Sequence, residues 1–439
     1  MARRKTKDKL YQLKIEGLSH EGRGIAHHGE KIIFTRGALP GESVTAVRTL
    51  SRSKYEEADV VEILKPSPER IVPKCDVYGI CGGCSFQHLS DNNQIKAKQE
   101  WLQSAFLGQS KVSPKLWLKP LQVDSWGYRR KARLGVRYVQ KKDRVLVGFR
   151  ERKSSFITLM DRCEVLHPSL GDKLNKLSEC IGKLSIKAEI PQIEVAIAEN
   201  ATILILRHLQ PLQETDKVIL KDYAKLLEIT WYSQSGGLDT VKPLFDSTEL
   251  IYSLPEHDIE MAFMATDFTQ VNFELNQKMI SLALGLLELD KNDKVIDLFC
   301  GLGNFSLPIA RYAKSVTGIE GDKGLIDRAK ENAQRNGLVN ASFYKADLFE
   351  DVSGFEWFRN KRYNKALIDP ARSGAIEIVE LMPEMGVKRI VYVSCNPATL
   401  ARDTAKLVEL GYTLEQAGVM DMFPQTAHVE SIALFVKTN

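Results

Sequence analysis

Ile390-Val391-Tyr392-Val393-Ser394-Cys395-Asn396-Pro397 carries a thiol out of a β-prone run and into a proline. Proline cannot donate to a sheet ladder, so pairing stops there and Cys395 is expected at the mouth of a strand. A thiol in that position can attack an electrophilic carbon. The bland alternative is an inert buried cysteine, the usual fate of a lone one; Ser394, Asn396 and Pro397 around it favour the nucleophile. In the same C-terminal half, Val295 to Phe305 reads as a strand feeding a glycine-rich turn. A nucleophile near a nucleotide-type cofactor suggests covalent group transfer.

The turn reads Asp297-x-x-x-Gly301-x-Gly303, and its glycines let backbone approach a ligand closely. Glu320 ends the next expected strand, where a carboxylate can hold two ribose hydroxyls, and Asp347 follows the third. Helix capping is the alternative role for both acids. The loop matches neither the dinucleotide nor the Walker pattern and has no lysine for a triphosphate. A cofactor without a phosphate chain fits better. S-adenosylmethionine has an adenosine to grip and a cationic sulfonium that tolerates acids.

Seven cysteines are present, and Cys75-x5-Cys81-x2-Cys84 with Cys163 far downstream offers four thiolates. The spacing is closer to the plant-ferredoxin style than to the tandem bacterial one, with a closed zinc site as the rival. It is not the three-cysteine radical spacing. Cys180, on an expected helix, reads as core.

The net charge of +5 says less than its distribution. From Trp126 to Lys153 there are eleven Lys/Arg against Asp143 and Glu151, interleaved with Trp126, Tyr128, Tyr138 and Phe149. Cations neutralise phosphates and aromatic faces stack on unpaired bases, so RNA or DNA is the expected partner. A solvated hairpin face is the plain alternative.

At 439 residues the chain should hold two or three domains. The basic opening, Met1 to Leu10, is followed by no apolar h-region, and no apolar run reaches membrane-spanning length. A cytoplasmic protein is expected. Residues 10–64 read as about five short strands, a small barrel of the oligonucleotide-binding type. From about 264, helix and strand alternate in the rhythm of a doubly wound sheet. The expected division is 1–66, 67–262 and 263–439. It comprises an N-terminal OB-fold β-barrel, a central α+β part with the cysteines and basic stretch, and an α/β Rossmann-like domain.

These residues together resemble the bacterial RNA (uracil-C5)-methyltransferases, in particular the 23S ribosomal RNA branch with a TRAM domain and a [4Fe-4S] cluster. Ile15-Glu16-Gly17-Leu18 through Gly22-Arg23-Gly24 is similar to the TRAM opening. The resemblance places Cys75, Cys81, Cys84 and Cys163 as cluster ligands. It places Gln270, in Phe268-Thr269-Gln270-Val271-Asn272, on the cofactor together with Phe299, Asn304, Glu320, Asp347 and Asp369. Cys395 falls on the nucleophile, and Glu430, in His428-Val429-Glu430, on the general base. Asp369-Pro370-Ala371-Arg372 has alanine where the family often has a second proline, which bears on local loop stiffness.

A monomer is expected, and the resemblance implies that it methylates C5 of a 23S ribosomal uridine, by that likeness uracil 1939. Cys395 would add to C6 and Glu430 would remove the C5 proton, the latter sitting after an extended Phe423-to-Val429 loop. Asp369 is left between base edge and cofactor. The alternatives are the same chemistry on another 23S uridine or on tRNA, and a non-catalytic iron–sulfur RNA-binding protein.

Overall fold

The structure, a computed structural model, describes residues 9–359 and 362–438. The first eight residues, most of the basic opening, lie outside them. Two compact units form. The first comprises the chain up to Lys98 with Phe149–Thr158 and Phe423–His428; the second holds Gln99–Gly148, Leu159–Met422 and the chain from Val429.

In the first unit, Leu10–Lys14 alternates exposed and buried residues along its length, the period-two pattern of a half-buried strand. It pairs with Ser43–Ser51, and the six-stranded sheet continues through Tyr55–Lys65, Lys31–Arg36, Gly24–His28 and Gly17–Leu18. Tyr11, Leu13, Ile15, Ala26, Ile33, Val44, Ala46 and Ala58 make its core. The sequence had suggested about five strands; glycine-flanked Gly24–His28 is one it missed. The buried Glu42 carboxylate ties the linker beyond the sheet, accepting from Leu39 and Ser67 backbone N–H and from Arg70. Burial pushes its pKa up, but Arg70 and the two N–H groups outweigh that and hold it low.

In the second unit, a six-stranded sheet runs in the order Lys242–Pro243, Thr230–Gln234, Thr202–Arg207, Gln192–Ile197, Lys131–Val139, Arg144–Gly148. Cys180 is fully buried in the helix Leu174–Gly182, as expected. The larger sheet has the parallel order Ala341–Lys345, Ser315–Glu320, Lys294–Leu298, Lys365–Ile368, Arg389–Ser394. Glu430–Lys437 and Tyr412–Met420 then follow antiparallel, with the short Leu116–Trp117 at the edge. The inner strands are buried almost end to end, the mark of a sheet covered on both faces. Among the described residues no helix is long and apolar enough to cross a membrane.

Candidate active site

The site is built at the carboxyl ends of the parallel strands. Lys294–Leu298 delivers Asp297, fully buried, and then Phe299, whose φ of +64° is uncommon for a bulky residue and marks local strain. Gly301 and Gly303 follow at φ +55° and +98°. A Cβ on Gly301 would meet nothing within 4 Å, so backbone there borders open space.

Glu320 is held by backbone on both oxygens: Gly301 N–H donates to one and Asp322 N–H to the other, each at 3.1 Å. Asp322, not Glu320, caps the following helix, Lys323–Arg335. The capping alternative for Glu320 therefore fails. Asp347 is exposed and accepts from Phe349 N–H at 3.0 Å, a local turn. Phe349 lies 5.7 Å from Phe299, ring to ring, and is partly exposed. Phe349 lies beyond the residues expected from the sequence, in which its signal is an aromatic two residues past the acid ending the third strand.

Asn304 is engaged with the helix Phe273–Leu287: its amide and that of Asn276 exchange hydrogen bonds at 2.9 Å, and Tyr252 OH also donates to it. Gln270, half-buried, sits in the loop before that helix. That loop is pinned by Asp267 to Arg328, by Lys131 Nζ to Ala265 carbonyl at 2.6 Å, and by Arg130 N–H to Val271 carbonyl. Arg130 also lies over the Phe273 ring. Burial lowers Lys131 to about 8. Part of the basic stretch thus faces inward and supports the Gln270 loop. Tyr128 is likewise buried, so it offers no free face for stacking. Arg137, Lys141, Lys142 and Arg144 do stand exposed on the hairpin.

Burial pushes both Asp297 and Asp369 up to about 7; for Asp297 the neighbouring Asp369 and Glu320 add to it. Ser306 donates to one Asp297 oxygen, while the other is buried without a hydrogen-bond partner. A recessed group of acids with an orphaned oxygen fits a cationic ligand, and Glu320 beside open backbone fits a ribose. S-adenosylmethionine has both features.

Cys395 is half-buried between the strand Arg389–Ser394 and the helix Pro397–Glu409. Pro397 occupies the first helical turn and Asn396 caps it, so the proline that ends the strand also starts a helix the sequence reading did not name. Asn396 Nδ2 donates to Arg372 carbonyl at 2.9 Å. Burial, then the Glu430 and Asp369 carboxylates, push the thiol up to about 11, while Arg372 pulls it down. The structure therefore gathers Cys395, Glu430, Asp369, Asp297 and Glu320 along one edge. The loop before Glu430 is not extended, as the sequence suggested: Phe423 to His428 is turned, with Gln425 at φ +66°.

Elsewhere, Cys75 and Cys84 are half-buried and Cys81 and Cys163 buried. Arg152 donates to the carbonyls of Cys81 and Cys84, and Tyr78 OH to Ser85 carbonyl at 2.6 Å. A Cβ on Gly82 would sit 3.0 Å from Arg150 carbonyl, so a side chain there would crowd that backbone. Among the described residues no group of three or more His, Cys, Asp or Glu is set to hold a metal ion.

Residues 90–438 match the family described as tRNA (uracil-5-)-methyltransferase, and residues 4–61 match the TRAM domain. The chain belongs to that methyltransferase family, with a TRAM domain at its N-terminus. It is 66% identical over 435 residues to the 23S rRNA (uracil(1939)-C(5))-methyltransferase RlmD of Vesicomyosocius okutanii, covering 99% of each chain. The enzyme of the same name from Alkalilimnicola ehrlichii is 49% identical, over 99% of this chain and 98% of that one. In fold it is similar to the Pyrococcus abyssi tRNA (uracil-54, C5)-methyltransferase, solved in complex with S-adenosyl-L-homocysteine. That match has a TM-score of 0.74 at 21% identity, over 97% of this chain and 100% of the other.

Proposed function

We infer that this protein methylates C5 of uracil 1939 in 23S ribosomal RNA, with S-adenosylmethionine as methyl donor. The observation that carries the chemistry is the thiol of Cys395 beside the Glu430 carboxylate at the strand ends. The substrate follows from 66% identity across the whole length of a relative bearing that activity in its name. A ribosomal substrate puts the work in the cytoplasm.

C5 of uracil is a poor nucleophile. Cys395 first loses its proton, favoured by Arg372 and opposed by Glu430 and Asp369. The thiolate then adds to C6, and the electron pair moves to C5 as an enolate-like carbon. S-adenosylmethionine, when bound, would supply an electrophilic methyl group to C5, its S–CH3 bond breaking with the electron pair left on sulfur as S-adenosylhomocysteine. Glu430 accepts the C5 proton, the C5–H pair re-forms the C5–C6 double bond, and the C6–S bond breaks to return the thiolate. Glu320, Asp347, Phe299, Asn304 and Gln270 are the proposed cofactor contacts. Phe349 is added as a stacking partner for its adenine. Asp369, held near neutrality, can donate or accept at the base edge or the cofactor. The target uridine must leave its stack to reach this recess.

The proposed division of labour is residues 1–66 and 67–262 for RNA and 263–439 for methyl transfer. The TRAM match and the exposed cations of the hairpin support the RNA-binding roles. A [4Fe-4S] cluster on Cys75, Cys81, Cys84 and Cys163 is proposed from their spacing and the family resemblance alone. The described side chains form no such ligand group, and no step of the reaction passes through iron.

Mapping 5-methyluridine in ribosomal RNA from a strain lacking the gene tests the substrate. Loss at position 1939, restored by the wild-type gene, is expected. Loss at a different 23S position or in tRNA instead overturns the assignment.

A further inference from the structure

The segment Phe423–His428 counts with the first unit, although the strands before and after it lie in the second. It is gripped there along its whole length. Gln425, 1% exposed, accepts at its carbonyl from Ser85 and Phe86 N–H at 2.9 and 3.0 Å. Its own N–H donates to Gln94 Oε1 at 2.9 Å. Its side-chain amide donates to Asp91 at 2.8 Å and accepts from Gln94 Nε2 at 3.0 Å. Gln94, also 1% exposed, donates as well to the Leu89 and Phe86 carbonyls at 2.8 and 3.2 Å. Lys98 Nζ donates to Phe423 carbonyl at 3.1 Å, and Ala427 N–H to Ser85 Oγ at 2.9 Å. Within the loop, Thr426 Oγ1 donates to Phe423 carbonyl and accepts from His428 N–H.

This grip is far more than a surface turn needs. Two buried glutamines matched donor to acceptor on both sides fix a left-handed backbone position that a non-glycine residue adopts only under constraint. The chain leaves the clamp two residues before Glu430, and one of the clamping residues, Ser85, directly follows Cys84.

We propose that Gln94, through Gln425, is a positioning residue that aims Glu430 at the C5 proton, so that the loop following Cys84 controls the elimination step. The proposal rests on the methyltransferase reading above. Addition and methylation need Cys395; only release needs Glu430. Loosening the clamp should therefore stall the enzyme after methylation, still bonded to RNA.

The test is single turnover of Gln94→Ala on RNA fragments carrying natural uridine, with methyl transfer and denaturant-stable enzyme–RNA complex followed separately. Methyl transfer close to the wild-type rate, with resolution of the complex slowed by about tenfold or more, is expected. Gln94→Glu, which loses the donors and keeps the shape, should show the same split. Equal slowing of both steps, or weaker RNA binding alone, would overturn the proposal. If Gln94→Ala does not fold, Ser85→Ala, which removes only the hydroxyl contact to Ala427, gives the same readout in milder form. If wild type forms no covalent complex even with 5-fluorouridine RNA, the methyltransferase mechanism fails, and that outcome is separate from failure of the clamp.

Discussion

Cys395 and Glu430 occupy the step just beyond the Ser394–Ser431 pair, where two antiparallel strands end together. Ser431 Oγ donates to Ser394 carbonyl at 3.1 Å and fixes that register. The proposed base and the proposed nucleophile thus lie on one rung of a sheet, and after burial the Glu430 carboxylate raises the pKa of the Cys395 thiol.

The alkylation rate of Cys395 should report this directly. Because the thiol sits at about 11, its thiolate fraction, and so its rate with iodoacetamide, should rise about tenfold per pH unit from pH 7 toward 10 with no plateau. Glu430→Gln removes a raising charge and should bring the plateau to lower pH; Arg372→Gln should move it higher. Peptide mass spectrometry of the labelled cysteine reads both. Unchanged profiles in both variants would mean the three groups do not share a site.

Glu430→Gln should slow proton removal by about 10²- to 10⁴-fold and let a methylated enzyme–RNA complex accumulate on denaturing gels. Full turnover by that variant would remove Glu430 from the mechanism.

The sheet, its strand order of acids and the thiol at a strand mouth were legible because parallel strands buried on both faces read as apolar runs ending in polar residues. Cys395 and Glu320 could be picked out on that basis. Other features depended on tertiary pairing that has no local signal. The strand Tyr412–Met420 carries Gly418 and Glu415 and bulges between Leu414 and Gln416, so its pattern is broken. Tyr128 and Lys131 looked like part of a basic, aromatic surface, yet the fold buries the first and hides the second's ammonium against a carbonyl. Glu430's role came from resemblance, since a glutamate at the start of a strand is ordinarily just solvated.

Phe349→Ala should weaken S-adenosylmethionine binding by about tenfold, since a stacked base is worth ~1–3 kcal/mol, with fold stability little altered at this partly exposed position. Isothermal titration measures it. Equal affinity in mutant and wild type would place the adenine elsewhere.

Asp297→Asn carries a stability signature. The carboxyl is raised from 3.8 to about 7 in the fold, so the folded state binds the extra proton between those values. Wild-type stability contributed by that group is then lost as pH rises from about 4 to 7. The amide cannot ionise, so the variant should gain on wild type across that window in thermal unfolding. A Tm difference that does not change with pH would contradict the burial of this charge.

Cys84→Ser separates the iron reading from zinc and from bare thiols. Anaerobically purified wild type should be brown with about four iron atoms per chain, and the variant colourless. Zinc at one per chain in the wild type, or no metal, would reject the cluster.

The proposed reaction rests on a covalent bond from Cys395 to C6 of the target pyrimidine. Wild-type enzyme should be incubated with S-adenosylmethionine and an RNA fragment bearing 5-fluorouridine at the target, digested, and its cross-linked peptide sequenced by mass spectrometry. A methylated fluorouridine attached to Cys395, and absent from Cys395→Ala, is the predicted result. An adduct on any other residue, or one that survives the alanine substitution, would contradict it.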